Sequence, residues 1–261
     1  MKKHFIGLTC ILAILSTATI SWRPAKTTKI SATELKKSSP ANELLEKFVS
    51  NIYESAHLQE SGLAFDLFKK GLTGYLNFKA ADMLPQNSAM LTIVDFTKSS
   101  REKRMWIIDL LNKQLTLNTL VAHGQGSGTE MASSFSDRED SHMSSVGFYL
   151  TDVVYHGKHG RSLKLDGMDE GFNSSARARE IVVHAAPYVS EGTIEHLGYL
   201  GRSFGCPAVS PAVVDQVINT IKNRTVLFIN GNEPDYTSKY LDEQQAANFL
   251  SNSGVAYLAS M

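Results

Sequence analysis

The residues best suited to chemistry are Cys206, within Gly201-Arg202-Ser203-Phe204-Gly205-Cys206-Pro207-Ala208, and His184 upstream of it. A thiol attacks a carbonyl carbon as the thiolate, so a nucleophilic cysteine needs a base or a positive field and is expected to ionise below the free-thiol range. His184 closes the run Glu180-Ile181-Val182-Val183-His184, whose β-branched composition predicts a strand able to fix an imidazole. The Ala185-Ala186-Pro187 backbone that follows offers a carbonyl to the second ring nitrogen, which would set the tautomer. Gly205 permits a sharp turn, and the amides of Gly205 and Cys206 could face the oxyanion of an acyl transfer. The unit reads as Cys206 nucleophile, His184 base and Gly205 oxyanion turn.

Each of these residues also has a plainer reading. Cys206 alone could be a buried inert thiol or an intermolecular link, and His184 a hydrogen-bonded strand histidine. The combination favours chemistry. The substrate-side candidates are Arg202, Ser203, Ala185 and Tyr188. Arg202 could clasp a substrate carboxylate with its guanidinium fork, or equally pair with an acid of the protein itself. Ser203 could hold the loop by hydrogen bonding or be a turn residue, and Tyr188 lies in the segment expected to border the cleft. His156 and His159 read as solvated loop histidines, and no Cys/His cluster has metal-type spacing. No metal is expected.

The elements that must hold this unit follow from hydrophobic periodicity. Ser39-Pro40 is a helix start, and Leu44, Leu45, Phe48, Val49, Ile52, Tyr53 and Ala56 then recur at helical spacing. A second helix is expected to open at Ser61 and to bury Leu63, Leu67, Phe68, Leu72, Tyr75 and Leu76. From residue 90 the pattern turns to short strand-like runs at 91–96, 105–110 and 115–120, with Asn112-Lys113-Gln114 as a hairpin loop. Further strands are expected at 146–155, 180–184 and 225–230, and a short helix at 211–221. The fold class is α+β: a mostly β sandwich or barrel preceded by an N-terminal helical segment.

Hydrophobic residues make up 43% and charged residues 20% of the 261-residue chain, the composition of a globular body. The 26 basic and 26 acidic side chains balance, which gives no basis for a nucleic acid or an anionic membrane surface as partner. Lys2 and Lys3 followed by the apolar run Phe5 to Leu15 and Ser16-Thr17-Ala18 read as a secretory signal over residues 1–18. The mature chain is then expected to be exported, without stable membrane association, and with Cys206 as its sole cysteine. The organisation expected is signal 1–18, flexible leader 19–40, helical segment 41–85, β domain 90–231 and C-terminal extension 232–261.

The same residues resemble a family. His184-Ala185-Ala186 followed by Gly201-Arg202-Ser203-Phe204-Gly205-Cys206-Pro207-Ala208 is similar to the active-site signature of the murein L,D-transpeptidases of YkuD type, in a branch with an aromatic residue before Gly-Cys. Val146-Gly147-Phe148, Gly171-Phe172-Asn173 with Arg179, and the 106–117 hairpin resemble the family too, over about residues 90–231. The resemblance implies a YkuD-like catalytic domain and an exported enzyme of peptidoglycan metabolism, in the periplasm or cell envelope, that needs no metal or organic cofactor. Its cysteine attacks the bond between meso-diaminopimelate and the terminal D-alanine of a tetrapeptide stem. The thioester then passes to an amine of a neighbouring stem or lipoprotein, or to water. By the same resemblance Cys206 is the nucleophile, His184 the base and Gly205 part of the oxyanion turn. Phe204 stands where the commoner pattern has a second histidine, and Pro207-Ala208-Val209 replaces an expected arginine. An L,D-carboxypeptidase, a sortase-like enzyme and a non-catalytic peptidoglycan-binding module remain as alternatives. The sortase reading needs an arginine soon after the cysteine, and papain-like order needs a histidine after it; no histidine follows Cys206.

Overall fold

The computed structural model describes residues 39–259, with side-chain surroundings described up to residue 252. The signal at 1–18 and the leader up to residue 38 lie outside the described residues. α1 (Pro40–Ser55) starts as its sequence dictates: Ser39 Oγ accepts from the Asn42 amide at 3.2 Å and Pro40 occupies the first turn. Its buried face is Leu45, Phe48, Val49, Ile52 and Tyr53. α2 (Phe65–Ala80) begins later than Ser61. The Ser61 hydroxyl donates to Leu58 O at 2.7 Å, so it closes the inter-helix turn rather than capping a helix.

Eight strands follow: β1 (Met90–Asp95), β2 (Met105–Asp109), β3 (Gln114–Thr119), β4 (Gly147–Gly157), β5 (Gly160–Gly167), β6 (Val182–Ala185), β7 (Ala208–Val209) and β8 (Val226–Asn230). They form one sheet in the order β3-β2-β1-β8-β4-β5-β6-β7. The β1/β8 and β6/β7 pairs are parallel and the others antiparallel. Just beyond β3 the Ala122 amide donates to Ala208 O of β7 at 2.9 Å, so the two ends of the sheet meet and the fold is a near-closed barrel. The remaining helices are α3 (Glu191–Leu197), α4 (Val214–Ile221) and α5 (Glu243–Ala259).

The central strands bury both faces by strict alternation. Leu91, Ile93, Trp106, Ile108, Phe148, Leu150, Val226 and Phe228 pack with α1, α2 and α5 in one core. Val94, Met105, Ile107, Tyr149, Leu227 and Ile229 pack with Val217, Ile218 and Ile221 of α4 in the other. The helical segment at 41–85 and the C-terminal stretch therefore share a core with the β structure. Contact is close at Gly74 of α2, where a Cβ would come within 2.1 Å of the Phe148 ring. Asp169 fastens the C-terminal stretch to β4, accepting from Phe148 N at 2.7 Å, Tyr236 Oη at 2.7 Å and Ser238 Oγ at 2.6 Å.

Elsewhere the boundaries move for local reasons. The strand expected from residue 180 begins at Val182, because Glu180 holds φ +54°. The helix expected from Pro211 begins at Val214. β5 and α3 were not anticipated. β5 places only Leu163 and Leu165 in the core between polar residues, and α3 buries no residue at all.

Candidate active site

The parallel β6/β7 ladder places His184 opposite Ala208, so the base candidate faces a strand that starts two residues after Cys206. Parallel neighbours need a crossover, and residues 186–207, including α3, supply it. The two side chains line one cleft of about 200 Å³ together with Lys158, His159, Tyr188, Arg202, Ser203 and Phe204.

Serine chemistry shapes the turn that carries the thiol. Ser203 Oγ accepts from the Gly205 amide at 3.1 Å and donates to Cys206 O at 2.7 Å. Its backbone is pinned as well, with Ser203 N on His123 O at 3.0 Å and Gln125 N on Ser203 O at 2.8 Å. Gly205 has φ +121°, and a Cβ there would lie 2.7 Å from Met143 O, so the position demands glycine. The Gly205 amide is engaged by Ser203, whereas the Cys206 amide has no hydrogen-bond partner among the described residues. The amide of this turn left for another acceptor is therefore that of Cys206, and Gly205 contributes the bend.

The Cys206 thiol sits against the start of β6. It donates to Glu180 O at 3.7 Å and accepts from the Val182 amide at 3.5 Å. Burial pushes its ionisation up from the ordinary thiol range, opposed by the Val182 N–H and by the charge of Arg179. This corrects the expectation of an acidified cysteine: burial favours the neutral thiol, and a nucleophilic role would require a base to remove its proton.

His184 is suited to that task. It is 3% exposed, and its Nδ1 lies 2.8 Å from Ala185 O. A carbonyl only accepts, so Nδ1 carries the proton and Nε2 keeps its lone pair. Nε2 has no hydrogen-bond partner among the described residues. Burial lowers the basicity of His184 below the usual histidine range; the Ala185 carbonyl opposes this and His159 adds to it. The ring is neutral at neutral pH and can accept a proton.

The substrate-side candidates separate on inspection. Arg202 lines the cleft, donates Nη1 to Gly128 O at 3.0 Å and lies 5.8 Å from the Tyr199 ring centre. It pairs with no carboxylate among the described residues. Tyr188 also lines the cleft, with its hydroxyl pushed up to about 12 by burial. Ser203 is in the lining, but its hydroxyl is committed to the turn. Ala185 is not in the lining; it packs against the barrel core and acts on His184 through its carbonyl.

The places of three further residues emerge only from the fold. His159 lies at the tip of the β4–β5 hairpin and stacks on His184, with ring centres 4.3 Å apart and planes at 25°. It is a wall of the cleft rather than a free loop histidine, and the signal was the Gly157/Gly160 pair bracketing a tight turn. Phe204 is 62% exposed and stacks on His142 at 4.3 Å, forming an aromatic rim. Arg179 is buried behind the turn and donates to Ser136 O at 2.8 Å, Ser145 Oγ at 2.5 Å, Ser141 Oγ at 3.2 Å and Met143 O at 2.7 Å.

A second buried histidine stands beside this site. Fully buried Arg104 donates Nη1 to Lys98 O at 2.8 Å, and Nε and Nη2 to Val121 O at 3.1 and 3.0 Å. It also donates Nη2 to His123 Nδ1 at 2.8 Å. His123 must then donate Nε2–H to Gly128 O, 3.3 Å away, the same oxygen that receives Arg202. Burial and the adjacent guanidinium lower His123 from 6.5 to about 4.

A family model described as the L,D-transpeptidase catalytic domain matches residues 59–230, starting upstream of residue 90, inside the helical segment. Solved structures with similarity include an L,D-transpeptidase from Mycobacterium smegmatis, 11% identical, covering 55% of this chain and 59% of that one, TM-score 0.33. An L,D-transpeptidase from Stackebrandtia nassauensis is 13% identical, covering 76% of this chain and 94% of that one, TM-score 0.34. The helical cell shape determining protein from Campylobacter jejuni is 12% identical, covering 71% of this chain and 65% of that one, TM-score 0.37. This chain thus spans about three fifths of the M. smegmatis protein. No curated protein matches it.

Proposed function

The chain belongs to the L,D-transpeptidase catalytic domain family, and from that membership and the cleft we propose an exported cysteine acyltransferase acting on peptidoglycan stem peptides. The observation that carries the proposal is a lone thiol and a neutral, carbonyl-oriented imidazole in one cleft. His184 Nε2 takes the Cys206 proton as sulfur bonds to the carbonyl carbon between diaminopimelate and the terminal D-alanine. The oxyanion that forms faces the Cys206 amide. His184 then gives its proton to the departing D-alanine amine, leaving a thioester. An amine of a second stem or of a lipoprotein, or water, attacks the thioester, His184 accepts its proton, and the thiolate leaves and is reprotonated.

In this reading Arg202, which pairs with no acid among the described residues, holds a donor carboxylate, and Tyr188 forms a wall beside it. Ser203 and Ala185 serve as supports, one for the turn and one for the base. Export and a place in the cell envelope belong to the same proposal and rest on Lys2, Lys3 and the apolar run at 5–15.

Intact-mass measurement of the folded chain with a carbapenem tests the reading. An adduct is expected on the wild type and absent from Cys206→Ala; a wild type that takes no adduct or other acyl group overturns it in favour of a non-catalytic binding module. Tetrapeptide muropeptides then assign the acceptor, since cross-linked dimers report transpeptidation and tripeptides alone report carboxypeptidase action.

A further inference from the structure

The stacked imidazoles of His159 and His184 have unequal surroundings. His184 is buried in β6, while His159 projects from the two-residue turn Lys158-His159 and is exposed. A proton on each ring would set two positive charges face to face at 4.3 Å, so the pair favours a single proton. Burial disfavours that proton on His184. The other charged or titratable groups of the cleft are Lys158 from the same turn, Tyr188 after β6, and Arg202 and Cys206 from the nucleophile loop. On β5, Arg161 is already paired with Asp215 at 2.7 Å, and Ser162, which faces His184 in the ladder, is uncharged. No carboxylate lines the cleft to draw a proton onto His184.

We propose that His159 is a positioning residue for His184: its ring covers one face of the base, and its charge, when present, opposes a proton there, so that the buried ring keeps its lone pair as the medium becomes acidic. The inference rests on the reading of His184 as the base. The lower basicity of His184 attributed in part to His159 agrees with it. The sign follows directly. A charged neighbour opposes protonation of His184, so removing that charge lets His184 take up a proton at higher pH and withdraws the base earlier on acidification.

His159→Phe keeps a flat ring over His184 but cannot be charged, and His159→Ala removes ring and charge together. The His184 imidazole carbon signal, identified by its loss in His184→Ala, is followed by NMR against pH in the full chain. In both variants the midpoint is expected to rise by about half to one unit. The rate of carbapenem adduct formation at about pH 5.5, relative to that at about pH 8, is expected to fall about threefold to tenfold. His159→Ala is expected to slow the reaction further, because the ring loses its cover. A His184 midpoint that stays put in His159→Phe overturns the inference. If the midpoint moves but the wild type takes up no acyl group, the coupling stands and the proposed function falls.

Discussion

His123 and His184 lie in neighbouring regions, both buried and both less basic than a free histidine, yet only one is equipped for chemistry. Around His123 both ring nitrogens are occupied, Nδ1 by Arg104 and Nε2 by Gly128 O. Around His184 only Nδ1 is tied, and the ring lines an open cleft shared with a thiol. Burial alone therefore does not make a base. A nitrogen without a partner, in a cleft that also holds a thiol, is what the proposed base requires and His123 lacks. The regions are also mechanically linked, since Gly128 O holds both His123 and Arg202 and His123 O holds Ser203.

The strongest way to break this contrast is His184→Ala. Loss of a general base is expected to slow Cys206 acylation about 10²- to 10⁴-fold, with the melting temperature little changed. A large fall in stability with the acylation rate retained would make His184 the structural histidine instead.

Acidification probes the other member of the pair. The folded state holds His123 neutral down to about pH 4, while the unfolded chain takes up that proton below about 6.5. Stability contributed by the neutral ring is complete above 6.5 and is lost as pH falls towards about 4, amounting to about 3 kcal/mol. His123→Gln retains an acceptor for Arg104 and a donor for Gly128 O, so denaturant unfolding of this variant is expected to lack that component of the pH dependence. An identical pH dependence in the two proteins would contradict the assignment.

The smallest effect is expected at the link between the regions. Arg202→Gln should raise KM for stem peptides by about tenfold with a lesser change in kcat, as removal of one carboxylate contact would. Steady-state kinetics with donors bearing a free or an amidated terminal carboxylate distinguish the cases. If both donors suffer equally, Arg202 supports the loop and does not meet the carboxylate.

How far the sequence carried depended on whether a signal was local. β1, β2 and β8 were legible because strands buried on both faces are nearly continuous apolar runs, and α1 because a Ser-Pro start precedes a clean stripe. β5 was not, since Gly160 and Gly167 bound a segment in which Leu163 and Leu165 alternate with Ser162 and Lys164. Cys206 and His184 could be named from their neighbours, but the neutral state of the thiol could not, because it depends on the Glu180 carbonyl and on burial. Arg104 and His123 carry no periodic pattern at all; their pairing exists only once the backbone at Val121 and Lys98 is folded around the guanidinium. His159 required knowledge of where a hairpin tip would land.

Since ladder register, rather than chain length, fixes His184 against Ala208, the part of the crossover formed by α3, which buries no residue, is free to vary. Segments could be grafted into residues 191–197 to reshape which acceptors fit, without disturbing the ladder that holds His184. Diversification of scope and preservation of chemistry are thereby assigned to different stretches of one polypeptide.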